Sequence, residues 1–411
     1  MYDAVIVGAG PGGATAAAFM ARRGLRVLLL DREAFPRDKV CGDGVAGRSI
    51  EVMQRLGMIE PMLAAPHAGA WGVTFSGPYG DEVAVPFRQA DPPAPPGFVC
   101  DRLTFDALVL DQAVKAGAEV WTEATVTGLL REGARIVGVR VRRGGSEVEV
   151  HAPLTVGADG AYSVVVRELG AAGVAGMDQL DERHYCAGLR WYWRGVTGID
   201  EARPRYELHF VDEAIPGYFW IFPLGGGRAN VGIGMLSAEI KKRDIQLKPL
   251  LEQMVAHPRF RERFVGAAPE GKIRGWGLPF GSKPRPMAGD GWLLVGDAAS
   301  LIDPFTGEGI GHAMVSGEFA AEWAERAKAA QDFSAAFLGG YRRAVMAELG
   351  SGLRLSHAVQ RLCRWKWLLN TVFRKAGRSE EVAHTLSVMF EDEAVRKKLV
   401  SPMFYLRLLA A

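Results

Sequence analysis

The chain has 411 residues, of which 51 are glycine and 22 are proline, and 48% are hydrophobic. A chain of this length buries about three quarters of the surface that it exposes when unfolded, so it needs no disulfide or metal to hold a core. Lysines and arginines number 49 against 47 acidic residues, and the formal charge of +2 excludes a global field that would attract nucleic acid or a membrane.

The cysteines predict neither a metal site nor a redox pair. They are Cys41, Cys100, Cys186 and Cys363. No two of them form a Cys-x-x-Cys motif, and the pattern is typical of a reduced, cytoplasmic protein. The uncharged residues 4–21 resemble a targeting segment, but they have no basic leader, contain glycine and proline, and precede two arginines. We expect a strand, a turn and a helix there instead.

The N-terminal residues predict a dinucleotide site. Residues 2–7 read as a strand, 8–13 as a glycine-rich turn, 14–23 as a helix of small residues and 26–30 as a second strand. In such a turn the glycines permit a tight bend, close approach to a pyrophosphate and close packing of helix on strand. The helix N-terminus offers N–H groups to phosphates. Asp31 ends the second strand, where a carboxylate can accept hydrogen bonds from ribose, in NAD or in FAD.

Two later segments favour FAD. Residues 154–163 end a strand at Asp159-Gly160, and residues 291–299 end another at Gly296-Asp297 before a glycine turn at 307–309. A carboxylate after a buried strand can accept a hydrogen bond from a ribityl hydroxyl. The glycine turn begins another helix, whose N-terminus would point towards a negatively charged group. Each segment alone resembles an ordinary strand-to-loop corner, but their order and separation indicate a shared site.

These three motifs resemble the FAD-binding set of the p-hydroxybenzoate hydroxylase fold group of flavoproteins, over residues 1–340. The resemblance implies an α/β fold, in which a Rossmann-like FAD-binding domain carries an inserted, mainly antiparallel β-sheet substrate domain and a helical C-terminal region. The implied division is 1–70, 99–174 and 275–340 for the FAD-binding domain, 71–98 and 175–274 for the substrate domain, and 341–411 for a basic helical region. One departure is Arg167, one residue later than the arginine that usually closes the second motif.

The resemblance also implies the FAD contacts. The expected residues are Gly8, Gly10, Pro11, Gly12, Gly13, Asp31, Arg32, Cys41, Gly42, Arg102, Val126, Asp159, Gly160, Gly296, Asp297, Gly307, Glu308, Gly309 and Ile310. Arg102 would reach the phosphates from the head of a helix at 103–116, although an arginine there can equally be a solvated first-turn residue. Glu308 at a helix start is also a favourable partner of the helix dipole.

Three further segments narrow the resemblance to one family. They are residues 35–44, residues 217–234 with their Gly-Tyr-Phe-Trp-Ile-Phe-Pro start, and residues 303–311. Together they are similar to the geranylgeranyl reductase family, whose middle signature is an aromatic-x-Trp-x-Phe-Pro strand with a glycine-rich continuation. The residues on this signature, which the resemblance assigns to substrate binding, are Tyr218, Trp220, Phe222 and Pro223.

The aromatic strand can be interpreted from its own residues. Successive side chains of a strand face opposite ways, so Tyr218, Trp220 and Phe222 share one face. They would form a wide apolar wall that suits a hydrocarbon chain and keeps water from a reduced flavin. The alternative is a sheet packed on a core, but Pro223 and the following glycines favour a strand that ends at a cavity.

Cys41 is the candidate catalytic residue. The resemblance places the loop of residues 36–44 over the flavin ring, with Cys41 on the substrate side. A thiol there could donate a proton or shape the pocket, although an ordinary thiol is a weak acid at neutral pH. The alternative is a buried cysteine that behaves as a small hydrophobe. Lys39 and Asp43 in the same loop are expected to form an ion pair and no more.

The resemblance implies an enzyme that transfers hydride from reduced FAD to an isolated C=C bond of an isoprenoid chain. Its substrate would be geranylgeranyl diphosphate, a geranylgeranylated lipid or the side chain of a menaquinone. No second complete nucleotide motif is present, so NADPH or reduced ferredoxin is expected as a transient donor. The alternatives are a flavin-dependent monooxygenase or halogenase, because residues 217–223 also resemble the aromatic strand of halogenases, and a non-enzymatic prenyl-binding escort protein. The oligomeric state stays open.

Residues 349–379 contain no acidic residue, and apolar residues recur at three- and four-residue steps, which predicts a basic amphipathic helix or helix pair. The basic residues are Arg354, Arg361, Arg364, Lys366, Arg374, Lys375 and Arg378. In one interpretation this surface rests on anionic lipid with Trp365 and Trp367 at the interface, and the protein is peripheral to the cytoplasmic membrane. In the other, the helix packs on the FAD-binding domain with a solvated basic face.

Overall fold

A computed structural model describes residues 1–87, 94–177 and 181–376, which form nineteen strands and ten α-helices. The strands are β1 (Ala4–Val7), β2 (Val27–Leu30), β3 (Gly44–Ala46), β4 (Ala68–Gly69), β5 (Gly72–Ser76), β6 (Glu82–Pro86), β7 (Gly97–Val99), β8 (Glu119–Trp121), β9 (Thr125–Glu132), β10 (Arg135–Arg143), β11 (Ser146–His151), β12 (Leu154–Gly157), β13 (Tyr185–Arg194), β14 (Tyr206–His209), β15 (Tyr218–Gly225), β16 (Arg228–Leu236), β17 (Ala268–Pro279), β18 (Ala288–Gly289) and β19 (Trp292–Leu294). The helices are α1 (Pro11–Arg22), α2 (Arg48–Leu56), α3 (Ile59–Ala64), α4 (Arg102–Lys115), α5 (Val164–Ala171), α6 (Ser237–Lys242), α7 (Leu247–Ala256), α8 (Ile310–Ala330), α9 (Ala335–Leu362) and α10 (Lys366–Ala376).

Six strands form a mainly parallel sheet in the order β18-β19-β12-β1-β2-β8. Every residue of β1, β2 and β12 is buried, which is typical of parallel strands covered on both faces. Helix α1 follows β1 directly and packs against α4 and α8. The strand, turn and helix predicted at the N-terminus are therefore present, and the second and third motifs follow the neighbouring strands β12 and β19.

A second sheet of seven strands has the order β17-β13-β16-β15-β14-β5-β6, and it is antiparallel except where β14 pairs with β5. Its strands come from residues 72–86 and 185–279, so the chain enters this sheet twice. One face packs on α7 around Phe219 and Ile233, and the other face contributes Trp220 to a second cluster. This sheet is the mainly antiparallel insertion that the sequence predicted.

Two smaller sheets complete the described fold. Strands β9, β10 and β11 form an antiparallel meander beside the parallel sheet. Strand β3 pairs with β7, which also pairs with β4. Because β3 begins at Gly44, this small sheet fixes the end of the loop that carries Cys41.

The basic C-terminal stretch is a helix pair, α9 and α10, as far as residue 376. The apolar side of α10 packs on the seven-stranded sheet, where Val372 and Phe373 join Phe75 in a buried cluster. The interpretation that this stretch packs on the FAD-binding domain holds for α9, whose Leu349 and Leu353 join the core of that domain. Helix α10 instead takes β6 of the seven-stranded sheet as its apolar partner. Trp365 and Trp367 remain 56% and 55% exposed. Arg378 lies outside the described residues.

Three basic residues of this stretch are paired with carboxylates of the seven-stranded sheet and its connections. The pairs are Arg364 with Glu239, Lys366 with Asp212, and Arg374 with Asp81. The basic face is therefore only partly available to another partner. Among the residues that the structure describes, no helix combines the length and the apolar character needed to span a bilayer.

Candidate active site

The turn between β1 and α1 has the geometry of a phosphate-binding turn. Gly8 has a φ of 99°, and a Cβ on Gly13 would lie 1.9 Å from the carbonyl oxygen of Gly8. Among the described residues, no side chain caps the N-terminus of α1, which begins at Pro11. In the part of the chain that the structure describes, the one atom within 4 Å of a Cβ on Gly10 would be a guanidinium nitrogen of Arg37, at 3.6 Å. The space beside Gly10 and the uncapped helix end fit a pyrophosphate.

Asp31 lies at the end of β2, beside this turn. Its carboxylate accepts hydrogen bonds from the main-chain N–H groups of Ala9, at 2.8 Å, and Glu33, at 3.0 Å. Arg32 is exposed and pairs with Glu33, and Val126 is buried on β9. Asp31 is therefore held in a fixed orientation, and the contacts of these residues with an adenosine group stay predictions.

The second motif turns at Gly160, where φ is 81°. The Asp159 carboxylate accepts hydrogen bonds from the Ser163 hydroxyl, at 2.5 Å, and from the first main-chain N–H of α5, at 2.6 Å. Burial raises the pKa of Asp159 above its ordinary value, against these hydrogen bonds. Asp159 thus fixes the start of α5. Arg167 is exposed and pairs with Glu168.

The third motif begins at Gly296, whose N–H donates to the Ser316 hydroxyl at 3.0 Å. The neighbouring Asp297 carboxylate accepts a hydrogen bond from Lys39 Nζ at 3.2 Å. The expected ion pair of Lys39 with Asp43 is therefore wrong, because Lys39 extends to the third motif while Asp43 is buried elsewhere. This contact ties the Cys41 loop, residues 36–44, to the parallel sheet.

The glycine turn after the third motif lies against the aromatic strand. Asp303 holds this turn, since its carboxylate accepts hydrogen bonds from two main-chain N–H groups, both at 2.9 Å, and from the Ser356 hydroxyl at 2.6 Å. Gly307 has a φ of 73°, and a Cβ there would lie 2.9 Å from the Tyr218 hydroxyl. The next residues, 308–310, line a cavity that lies beside the aromatic strand.

A cavity of about 530 Å³ lies between the Cys41 loop, β15 and the glycine turn. Tyr218, Trp220 and Phe222 line it from one face of β15, and we call these three residues the aromatic wall. Adjacent ring centroids in the wall are 6.2 Å apart. Cys41 and Gly42 line the cavity too. The structure thus brings the predicted substrate residues, the predicted catalytic residue and part of the predicted flavin site together.

Pro223 is an exception, and its expected place in the substrate site requires correction. It borders a separate cleft of about 370 Å³, with Glu207, Arg259 and Arg263. The reason is the alternation of side chains along a strand, which turns Pro223 to the face opposite Phe222. The cleft that Pro223 borders is polar and charged, and it does not suit a hydrocarbon chain.

A buried polar network that sequence reasoning missed connects the wall to the Cys41 loop. Asn230 accepts a hydrogen bond from Trp220 Nε1 at 2.9 Å and donates to the Cys41 carbonyl and to Asp43, both at 2.7 Å. Asp43 also accepts a hydrogen bond from the Tyr192 hydroxyl at 2.7 Å. The signal in the sequence was an asparagine inside the apolar strand β16, which was interpreted only as part of a glycine-rich continuation.

Two buried charged groups near Cys41, Asp43 and Arg102, have pKa values shifted from their ordinary values. Asp43 is completely buried, and burial raises its pKa to about 7. Arg102 is 3% exposed, and its guanidinium donates to both carboxylate oxygens of Asp106, at 2.6 and 2.8 Å. Burial opposes its charge, but Asp106 and Cys41 beside it raise the pKa of Arg102 overall. The solvated alternative for Arg102 is therefore wrong, and its contact with phosphate stays a prediction.

Comparison with known protein families gives two matches. Residues 1–198 match the family described as FAD binding domain, and residues 192–268 match the geranylgeranyl reductase catalytic domain. A menaquinone reductase of Mycobacterium tuberculosis is 34% identical over 322 residues, which cover 78% of this chain and 76% of that protein. A digeranylgeranylglycerophospholipid reductase of Thermoplasma volcanium is 31% identical over 347 residues, which cover 84% of this chain and 83% of that protein.

Solved structures agree with these matches. A geranylgeranyl bacteriochlorophyll reductase-like protein of Thermoplasma acidophilum is 26% identical, with a TM-score of 0.80 over 97% of this chain and 98% of that chain. The flavin-dependent brominase Bmp2 has a TM-score of 0.78 over 99% of both chains, but at 24% identity it shows the fold alone. The FAD-binding fold of the p-hydroxybenzoate hydroxylase type, with its antiparallel insertion and helical C-terminal region, is confirmed.

Proposed function

This chain belongs to the geranylgeranyl reductase family of FAD-dependent oxidoreductases, and we propose that it saturates C=C bonds in the chain of an isoprenoid lipid. The observation that carries the proposal is the cavity in which the aromatic wall faces Cys41 and the glycine turn of the third flavin motif. A cavity of this size with mainly apolar walls suits one folded or extended hydrocarbon chain. The relatives named menaquinone reductase and digeranylgeranylglycerophospholipid reductase support this class of substrate.

The groups that would hold FAD are the uncapped turn at residues 8–13, Asp31, the Gly296-Asp297 corner and residues 307–310. When bound and reduced, FAD supplies the hydride for the reaction. NADPH or reduced ferredoxin is proposed as the transient electron donor. The sequence supports a transient visit because it has no second complete glycine-rich nucleotide motif.

The chain's own residues position the alkene and exclude water from it. The Tyr218 hydroxyl donates to the Thr306 carbonyl at 2.5 Å and Trp220 Nε1 donates to Asn230, so both rings have fixed orientations. An unactivated alkene accepts hydride poorly, and proton transfer must lead or accompany the hydride. Ring faces stabilise developing positive charge by about 0.5 to 2 kcal/mol per contact. This contribution is modest, so positioning supplies the larger part of the catalysis.

The direct test is anaerobic turnover. The purified protein, reduced with dithionite, is incubated with a prenylated quinone or a geranylgeranyl ether lipid, and the products are analysed by mass spectrometry. We expect a gain of two hydrogen atoms per saturated bond. Oxygen consumption coupled to hydroxylation or halogenation, with no saturation under anaerobic conditions, would select the monooxygenase or halogenase alternative. A protein that purifies without flavin and cannot be reconstituted would select the prenyl-binding escort.

Cys41 is proposed as the proton donor. Cys41→Ser is expected to slow alkene reduction by about 100-fold, because general acid catalysis contributes about 10² to 10⁴ and a hydroxyl is a weaker acid than a thiol. Reduction of the bound flavin by dithionite should be unchanged. Stopped-flow absorbance of the flavin separates the two steps.

The matched control for this variant is Cys100→Ser. The Cys100 thiol is buried and donates to the Pro66 carbonyl, so a hydroxyl keeps a partner there. Its alkene reduction should equal that of the wild type. If Cys41→Ser also turns over at the wild-type rate, Cys41 is not the proton donor.

We also propose that the C-terminal helix pair rests on an anionic membrane surface. Trp365 and Trp367 are exposed, and Arg354 and Arg361 are exposed nearby on α9. A basic residue close to anionic lipid contributes about 1 kcal/mol, so Arg354→Gln and Arg361→Gln together should weaken vesicle binding by about 30-fold. Co-sedimentation with phosphatidylglycerol vesicles measures this change.

Lys272→Gln serves as the control for the membrane test, because it removes one positive charge from an exposed position on β17. Its vesicle binding should stay at the wild-type level. Equal co-sedimentation of the double variant and the wild type would reject the membrane surface and leave a helix pair that packs on the FAD-binding domain through α9 and on the seven-stranded sheet through α10.

A further inference from the structure

The cavity lining has an uneven distribution of charge. Among the described residues that line it, none is a lysine or an arginine, and the charged side chains are Glu51 and Glu308. The remaining polar lining includes the amides of Gln54 and Gln360. A substrate inside this cavity therefore meets carboxylates and amides, and it meets no cationic side chain from the described part of the lining.

The position of Glu51 and Gln54 identifies the mouth of the cavity. Both residues are exposed on α2, and both line the cavity. The lining residues Cys186, Leu236 and Phe280 are buried. A prenyl chain that enters with its hydrocarbon end first consequently leaves its head group beside Glu51 and Gln54.

The arginines of α2 are already paired. Arg55 donates to Glu318 of α8 at 2.8 Å, and Arg48 pairs with Glu348 of α9. These two pairs hold α2 against the long helices. A diphosphate at the mouth would have to take Arg48 or Arg55 from its carboxylate, and it would still face the negative charge of Glu51.

We infer that the group attached directly to the prenyl chain of the substrate is uncharged, such as a quinone ring, an ether or an alcohol, and that free prenyl diphosphates are rejected at the mouth. A carboxylate only accepts hydrogen bonds, and an amide both donates and accepts, so Glu51 can bind a hydroxyl and Gln54 can bind a hydroxyl or a carbonyl. A diphosphate oxygen would be repelled by Glu51 instead. That the substrate carries a prenyl chain rests on the proposed function. That its head group is uncharged rests on the residues that line the cavity.

Binding without turnover tests this inference. Geranylgeraniol and geranylgeranyl diphosphate share one chain, and each is titrated into the protein with oxidised FAD while tryptophan fluorescence is followed. We expect the alcohol to bind at least about tenfold more tightly. Equal or tighter binding of the diphosphate to the wild type would overturn the inference. If the alcohol binds more tightly than the diphosphate but neither the alcohol nor the prenylated lipids of the anaerobic assay are reduced, the proposed function is refuted and the inference on the head group stands.

Variants of Glu51 test whether this residue causes the preference for the alcohol over the diphosphate. Glu51→Lys reverses the charge at the mouth and should shift the ratio of the two dissociation constants by about tenfold towards the diphosphate, since two unit charges of change act on a close anion. Glu51→Gln should shift the ratio in the same direction by a smaller factor. Glu60→Lys, at an exposed position on α3 that does not line the cavity, is the matched control and should leave the ratio unchanged. An unchanged ratio in Glu51→Lys would overturn the assignment to Glu51.

Discussion

Gly10→Ala is expected to give a folded protein that purifies without flavin. Within the protein, a Cβ at this position has room, because the nearest atom belongs to the Arg37 side chain at 3.6 Å. The same Cβ would occupy the space beside the uncapped N-terminus of α1, where a pyrophosphate must approach the backbone. The ratio of flavin absorbance to protein absorbance after purification measures the loss, which we expect to be nearly complete.

Two further glycine substitutions distinguish loss of flavin from loss of fold. Gly13→Ala should misfold, because its Cβ would lie 1.9 Å from the Gly8 carbonyl oxygen. Gly339→Ala lies inside α9, where the nearest atom to a Cβ is an Arg343 side-chain nitrogen at 3.7 Å, and it should bind flavin normally. Circular dichroism checks the fold of each variant. Full flavin occupancy in Gly10→Ala would mean that the pyrophosphate does not lie at this turn.

The parts of the site that follow local rules could be predicted from the sequence. The turn at residues 8–13 was predictable because its glycines are required by contacts with the adjoining strand and helix. The aromatic wall was predictable because strand alternation alone places Tyr218, Trp220 and Phe222 on one face. Applied to Pro223, the same alternation would have excluded it from the wall. The resemblance to a family signature instead grouped it with the aromatic residues.

The parts that depend on distant partners could not be predicted. Lys39 pairs with Asp297, which is 258 positions later in the chain, and no local pattern indicates that choice. Asp43 is buried, and it accepts hydrogen bonds from Tyr192 and Asn230, which lie on two paired strands of the seven-stranded sheet. Only the packing of the Cys41 loop against β13 and β16 shows that this carboxylate belongs to the site.

The buried carboxylate of Asp43 makes stability depend on pH. Its pKa in the folded protein is about 7, raised from 3.8 by burial, against the hydrogen bonds from Tyr192 and Asn230 and the charges of Arg190 and Arg102. Between these two pH values the folded protein retains a proton that the unfolded chain has released. Folding stability therefore falls as the pH rises from about 4 to about 7, by up to about 4 kcal/mol, and this contribution is constant outside that range.

Asp43→Asn should remove this dependence, because an asparagine has the shape of the protonated carboxyl group and no charge to bury. We expect the thermal midpoint of the variant to exceed that of the wild type at pH 8, and the difference to shrink as the pH falls below about 7 towards pH 5. Asp111→Asn, which removes an exposed carboxylate paired with Lys115, is the control and should not reproduce this trend. Midpoints of variant and wild type that run parallel from pH 5 to pH 8 would contradict a proton on Asp43.

The same ionisation should reach the reaction through Asn230. This side chain donates one hydrogen bond to Asp43 and another to the Cys41 carbonyl, and it accepts one from Trp220 of the wall. A charged Asp43 accepts a stronger hydrogen bond from Asn230. This changes the strength of the other two hydrogen bonds of Asn230, to the Cys41 carbonyl and from Trp220. The rate of alkene reduction in the wild type should therefore change across pH 7 with one proton, and the rate in Asp43→Asn should not. Flavin reduction by dithionite does not involve this network, so its rate should not change across pH 7 in either protein. A change in that rate would mean that the titrating group is not Asp43.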